Sequence, residues 1–127
     1  MTYTYLTVEQ VLEIHSDQIK QTGGSPGIIA MGALESALAR PRLGYYHSLI
    51  EEATAFLESL ATNHPFLDGN KRVAFLATDL FLRLNGFSIN CDADEANRFI
   101  RNILEDRQDR FDRVRNWLKA HVVPTPS

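Results

Sequence analysis

The chain has 127 residues, with 13 Lys and Arg against 16 Asp and Glu, a formal net charge of −3. Hydrophobic residues make up 44% and charged residues 23%, which suits one globular domain over 1–127 and argues against a disordered or collagen-like chain. The single cysteine, Cys91, excludes an intramolecular disulfide or a thiolate metal cluster, and the acidic balance argues against direct nucleic-acid binding.

The charge is uneven. Residues 1–91 hold six basic and nine acidic side chains, and residues 92–127 hold seven of each. The Arg-rich run from Arg98 to Arg115 is interleaved with Glu105, Asp106, Asp109 and Asp112. It reads as a solvated, salt-bridged helical face. No apolar run approaches the about 18 residues of a membrane span. Met1 to Thr7 lacks a basic region followed by an apolar one, so no signal peptide is expected and the protein reads as cytoplasmic.

Six segments carry helical periodicity. Thr7-Val8-Glu9-Gln10 has the capping-box pattern, and Val8, Val11, Leu12, His15 and Ile19 then form one stripe. Gly23-Gly24-Ser25-Pro26-Gly27 cannot continue a helix, so a short flap is expected near 22–30. A short helix carries Leu34, Ala37 and Leu38 and ends at Pro41. A third runs from about Leu49 to Asn63. A fourth, about Asn70 to Leu84, is apolar nearly all round and is expected at the centre of the bundle. Asn85-Gly86 stops it. Phe87, Ile89 and Cys91 alternate with Ser88 and Asn90, which allows a short extended piece. Asp92 with Glu95 opens a fifth helix carrying Phe99 and Ile103. The sixth carries Phe111, Val114, Trp117 and Leu118. Residues 122–127, with Pro124 and Pro126, read as a frayed tail. The fold class is therefore all-α. No βαβ alternation or Gly-rich phosphate fingerprint is present.

The chemistry concentrates in His64-Pro65-Phe66-Leu67-Asp68-Gly69-Asn70-Lys71-Arg72. This is a loop feeding the N-terminus of the apolar helix, where free N–H groups and the helix dipole attract anions. Gly69 permits close backbone approach. Asn70 can cap the helix or contact phosphate. Lys71 and Arg72 add cations, the latter with a planar fork. Asp68 is a hard oxygen ligand of the kind Mg²⁺ uses beside nucleotide phosphates. His64 can take a proton from a hydroxyl. Taken singly, each has an ordinary structural reading as a helix stop, turn, cap or surface pair. Together they are what group transfer from a nucleotide to a hydroxyl requires. Elsewhere, His15 reads as a buried structural histidine, His47 has no motif around it, and Cys91 reads as a small core residue.

This stretch resembles the signature loop of the Fic/Doc superfamily, H-P-F-x-[D/E]-G-N-[G/K]-R. The flap region, the segment Leu34 to Pro41 and the segment Phe81 to Gly86 are similar to the compact Doc (death-on-curing) toxin branch of type II toxin–antitoxin systems. The resemblance implies a compact six-helix bundle. Lys71 stands where Fic adenylyltransferases have Gly, and Phe75 where they have a second Arg. That favours transfer of the γ-phosphate of ATP over transfer of AMP. The implied roles are His64 as general base, Asp68 as Mg²⁺ ligand, Asn70, Lys71 and Arg72 as phosphate ligands, Gly69 as part of an anion nest, and Phe66 as an inward anchor. The implied acceptor is a hydroxyl of an elongation factor Tu-like protein, with arrest of translation as the outcome. Doc-type loops can carry Ala at Gly69 and an Arg at Thr62; Arg40 or Arg42 stand as candidates to replace that Arg. The inhibitory pattern [S/T]-x-x-x-E-[G/N] matches neither Ser48–Ala53 nor Thr54–Ser59. The implied restraint is instead a Phd-like antitoxin whose disordered tail folds on binding. The alternatives are a Fic-type nucleotidyl transferase and a non-catalytic partner-binding module.

Overall fold

Thr7 starts the first helix as its sequence requires. Its hydroxyl accepts from Gln10 N, and the Gln10 side chain accepts from Thr7 N, opening α1 (Val8–Thr22). A computed structural model describes residues 3–126 apart from Leu104 and Asp106. Next come α2 (Met31–Ala39) and a 3-10 turn (Arg40–Arg42) holding buried Pro41. Then follow α3 (Leu49–Asn63), α4 (Asn70–Leu84), β1 (Phe87–Ile89), α5 (Ala93–Asn102), α6 (Arg110–His121) and β2 (Val122–Pro124). The architecture is the expected all-α bundle, with one two-stranded sheet at its edge. Among the described residues no helix is long and apolar enough to cross a membrane.

The centre is shared by two helices. Helix α4 was the expected centre, and it buries Val73, Ala74, Ala77, Phe81 and Leu82. Helix α3 is buried more completely, because Ala53, Ala55 and Ala61 let α2, α4 and α6 close around it. Leu84 and part of α4's apolar surface stay accessible. The core joins Val11, Leu34, Phe56, Leu57, Leu60, Phe66, Val114 and Leu118 to these helices.

The tail departs from expectation. Val122–Pro124 pairs antiparallel with β1, in register Phe87↔Pro124, Ser88↔Val123 and Ile89↔Val122. Thr125 N donates to Gly86 O at 2.9 Å and Asn90 N to His121 O at 2.7 Å. Pro124 occupies the end of the strand, where its missing N–H costs no ladder bond. Gly86, at φ +90°, turns the chain out of α4 and lays β1 beside the tail. The strand's buried residue is Ser88, with Phe87 facing out. Ser127 lies outside the described residues.

The Arg-rich run is only partly the expected solvated face. Arg115 pairs with Asp112, but Arg110 crosses to Glu58 on α3. The expected contribution of Asp106 lies outside the described residues.

Candidate active site

Helix α3 ends at His64, which sits in the left-handed region at φ +50°, ψ +57° and so redirects the chain. Pro65 and Phe66 turn back into the core, where Phe66 is 1% exposed. The loop is pinned from three sides. Asn70 clamps it from below: its amide oxygen accepts from Phe66 N at 3.0 Å and its amide nitrogen donates to Phe66 O at 2.9 Å. The flap pins it from the side. Ile29 N and Ala30 N both donate to Pro65 O, and Leu67 N donates to Gly27 O. Ile28 forms an isolated antiparallel bridge with Phe66. His15, on α1, supplies the third hold. Its ring stacks on Phe66 with centroids 3.9 Å apart, and its Nε2 lies 3.0 Å from Asp68 O. A carbonyl only accepts, so Nε2 carries the proton.

His15 is therefore buried and structural, as its place on the α1 stripe predicts. Its hold on the backbone of the candidate metal ligand is not legible in the sequence, because the two residues are 53 positions apart. Phe66 is the inward anchor expected of it.

Gly69 precedes α4 at φ +81°, ψ +13°, without a side-chain cap bond. Asn70's side chain is held by Phe66, so it caps nothing. What Asn70 presents at the helix start is its backbone N–H, within the open first turn. Helix α4 has no acidic residue in that turn, and Lys71 and Arg72 lie there instead. The left-handed residue followed by helical ones forms a concave set of N–H groups suited to an anion. Arg72 is exposed, whereas Lys71 Nζ reaches the carbonyl of Arg101 on α5 at 3.5 Å.

Asp68 is exposed at the rim. Its Oδ1 accepts from Gly69 N at 2.9 Å and its Oδ2 from Ser25 N at 3.3 Å. The flap crosses so closely that a Cβ on Gly24 would lie 2.6 Å from Asp68 Oδ2. No group of three His, Cys, Asp or Glu residues gathers as a ready-made metal cage among the described residues. A lone carboxylate fits Mg²⁺, which takes one or two protein carboxylates and completes its shell with water and substrate phosphates.

The His64 ring makes no hydrogen bond among the described residues. It faces a cleft of about 360 Å³ lined by Thr62, His64, Arg107 and Arg110. Arg107 and Arg110 were read from the sequence only as part of a solvated face. Arg40 and Arg42, the candidates to stand in near Thr62, are engaged elsewhere. Arg40 bonds Glu58, Ser59 and Tyr46. Burial opposes its charge, but the bonds to Glu58 and Tyr46 outweigh that and hold its pKa above the ordinary value. Arg42 lies over the Tyr5 ring, 4.7 Å from its centroid. Phe75 belongs to an aromatic cluster with Phe99 and Trp117. Cys91 is half-buried, and burial with Glu95, Asp92 and Asp79 raises its thiol pKa, which suits an unreactive side chain. His47 is exposed in a loop away from these groups.

A helical bundle that presents this loop between α3 and α4 is a Fic/Doc fold. The Fic/DOC family model matches residues 5–82, and the chain belongs to that family. It is similar to the protein named Toxin Doc of Mycolicibacterium smegmatis, with 39% identity over 95 residues that cover 71% of this chain and 71% of that one. It is also similar to the protein named Protein kinase doc of Escherichia phage P1, with 33% identity over 89 residues, 67% of this chain and 71% of that one.

Proposed function

We propose that this chain is a Doc-type toxin that transfers the γ-phosphate of ATP to a hydroxyl of a protein of the translation machinery. The observation that carries this reading is the open first turn of α4, bearing Arg72, beside a loop that carries Asp68 and the His64 ring, which has no hydrogen-bond partner among the described residues. The names of the two relatives, a toxin and a protein kinase, support it.

In this reading the acceptor hydroxyl lies against a His64 ring nitrogen, which takes its proton as the oxygen bonds to the γ-phosphorus. The bond from that phosphorus to the bridging oxygen breaks, and ADP leaves with the electron pair. The N–H groups of Asn70, Lys71 and Arg72 and the cationic side chains hold the phosphates and offset their charge. Asp68 would hold Mg²⁺, whose chemistry there would be neutralisation of phosphate charge. Phe66, Asn70 and His15 keep the loop in place. Position 75, where the AMP-transferring enzymes this loop resembles carry a second arginine, is a phenylalanine packed on Phe99 and Trp117, which favours γ-phosphate transfer over nucleotidyl transfer. The acceptor is an elongation factor Tu-like protein, transfer arrests translation, and a Phd-like antitoxin whose tail folds on binding supplies the restraint.

The test uses ATP labelled at the α or the γ position, a cell lysate, and the wild-type chain beside His64→Ala. The reading expects label on protein from the γ position alone and a loss of about 10²–10⁴-fold in His64→Ala. Label from the α position alone would establish nucleotidyl transfer instead. No label from either, with equal toxicity of both chains in bacteria, would establish a non-catalytic binding module.

A further inference from the structure

We infer that Arg107 and Arg110, outside the signature stretch, form a second anion-binding edge of this site and hold the phosphate chain of the nucleotide donor beside His64. The inference rests on the nucleotide phosphotransfer reading and adds residues to it. The cleft of about 360 Å³ brings together the end of α3, through Thr62 and His64, and the entry to α6, through Arg107 and Arg110. Its lining carries two arginines and no carboxylate. Glu58, on the neighbouring turn of α3, is shared between Arg40 Nη1 at 2.8 Å and Arg110 Nε at 3.1 Å. Two guanidinium groups thus meet one carboxylate, and Arg107 lines the same cleft.

Arg110 is also held in place. Its side chain is 18% exposed and its Nε is fixed by Glu58, so little rotamer freedom remains to be lost when an anion arrives. Thr62 gives its hydroxyl hydrogen to Glu58 O at 2.8 Å, so it forms a wall of the cleft and offers no donor of its own. The ligand that matches the planar, mostly buried Arg110 guanidinium beside the exposed Arg107 is an oxyanion. In phosphoryl transfer, the oxyanion that must come within bonding reach of the hydroxyl at His64 is the donor phosphate. Lys71 points to the end of α5, so charge from the α6 side complements the α4 helix start.

Calorimetric titration of the full chain with ATP and with adenosine, both in Mg²⁺, tests this. Arg107→Ala/Arg110→Ala is expected to bind ATP at least about tenfold more weakly, with adenosine affinity unchanged. Adding Thr62→Arg, which returns a guanidinium to the same cleft, should recover part of that loss. Arg107→Ala alone leaves the Glu58 bridge intact, so it reports the effect even if the double variant is poorly folded; a drop of several-fold is expected. Wild-type ATP affinity in both variants overturns the inference and leaves the phosphotransfer reading standing. Normal ATP affinity with lost transfer to protein also overturns it, and assigns the arginines to an acidic segment of the acceptor. A wild-type chain that binds no ATP removes both.

Discussion

Helices α3 and α4 have the same length and pack side by side at the centre of the molecule, yet their N-termini are built from opposite materials. Ser48 caps α3 by accepting from Glu51 N at 3.1 Å, and Glu51 and Glu52 fill its first turn. Helices α1 and α5 are finished in the same way, by Thr7 with Glu9 and by Asp92 with Asp94 and Glu95. Helix α4 begins at Gly69 with no side-chain cap, no acid in its first turn, and two cations there. A cap satisfies free N–H groups and an acid offsets the dipole. Leaving both out sacrifices stability and keeps an anion site open. Helix α2 also starts without a side-chain cap or a first-turn acid, and α6 without a side-chain cap bond, so what sets α4 apart from them is the left-handed Gly69 followed within the first turn by Lys71 and Arg72.

The sharpest way to break this contrast is to give α4 a start like that of α3. Lys71→Glu puts an acid in the first turn. Nucleotide affinity should fall about a hundredfold, while urea unfolding shows a gain of about 0.3–1 kcal/mol from the dipole. Equal affinity would mean that the α4 start is not a phosphate site.

Gly24→Ala disturbs the same region from the flap. The new Cβ forces the Asp68 carboxylate away from its place, and the transfer rate should drop about tenfold. Urea unfolding should stay within about 0.5 kcal/mol of wild type, because the change lies at an accessible loop.

Ser48→Ala makes the reverse change at α3. It should cost about 1 kcal/mol in urea unfolding and leave ATP affinity unchanged.

The smallest effect is a pH dependence at the start of α3. Tyr5 OH donates to Glu52 Oε1 at 2.7 Å. Burial, that bond and the Glu52 charge push the tyrosine up to about 12. The unfolded chain's tyrosine ionises near pH 10, so Tyr5 keeps its proton longer in the fold. Its contribution to stability is full below about pH 10 and is lost as pH rises through 12. Tyr5→Phe should flatten the fall in thermal midpoint over that window and leave ATP affinity at neutral pH unaltered.

What was legible follows the range of the interactions. The starts at Thr7, Ser48 and Asp92, the ends of α3 and α4, and the single loop carrying His64, Asp68 and Arg72 are written in residues a few positions apart. Asn70 shows the limit. Its type suits a helix cap or a phosphate ligand equally, and only the packed position of Phe66 commits its amide to the loop backbone. The tail misled for a related reason. Two prolines suggest fraying, but the partner that orders Val122–Pro124 is β1, some 35 positions earlier.

By itself the sequence determined the helical class, the limits of α3 and α4 and the signature loop, because propensity, capping and hydrophobic period act within one or two turns of chain. Only the tertiary structure decided that His15 holds the backbone of Asp68, that the flap latches its carboxylate, and that Arg110 crosses to meet Glu58 beside His64. Those contacts join residues roughly 40 to 50 positions apart. The burial and charge that select them exist only once the bundle has closed.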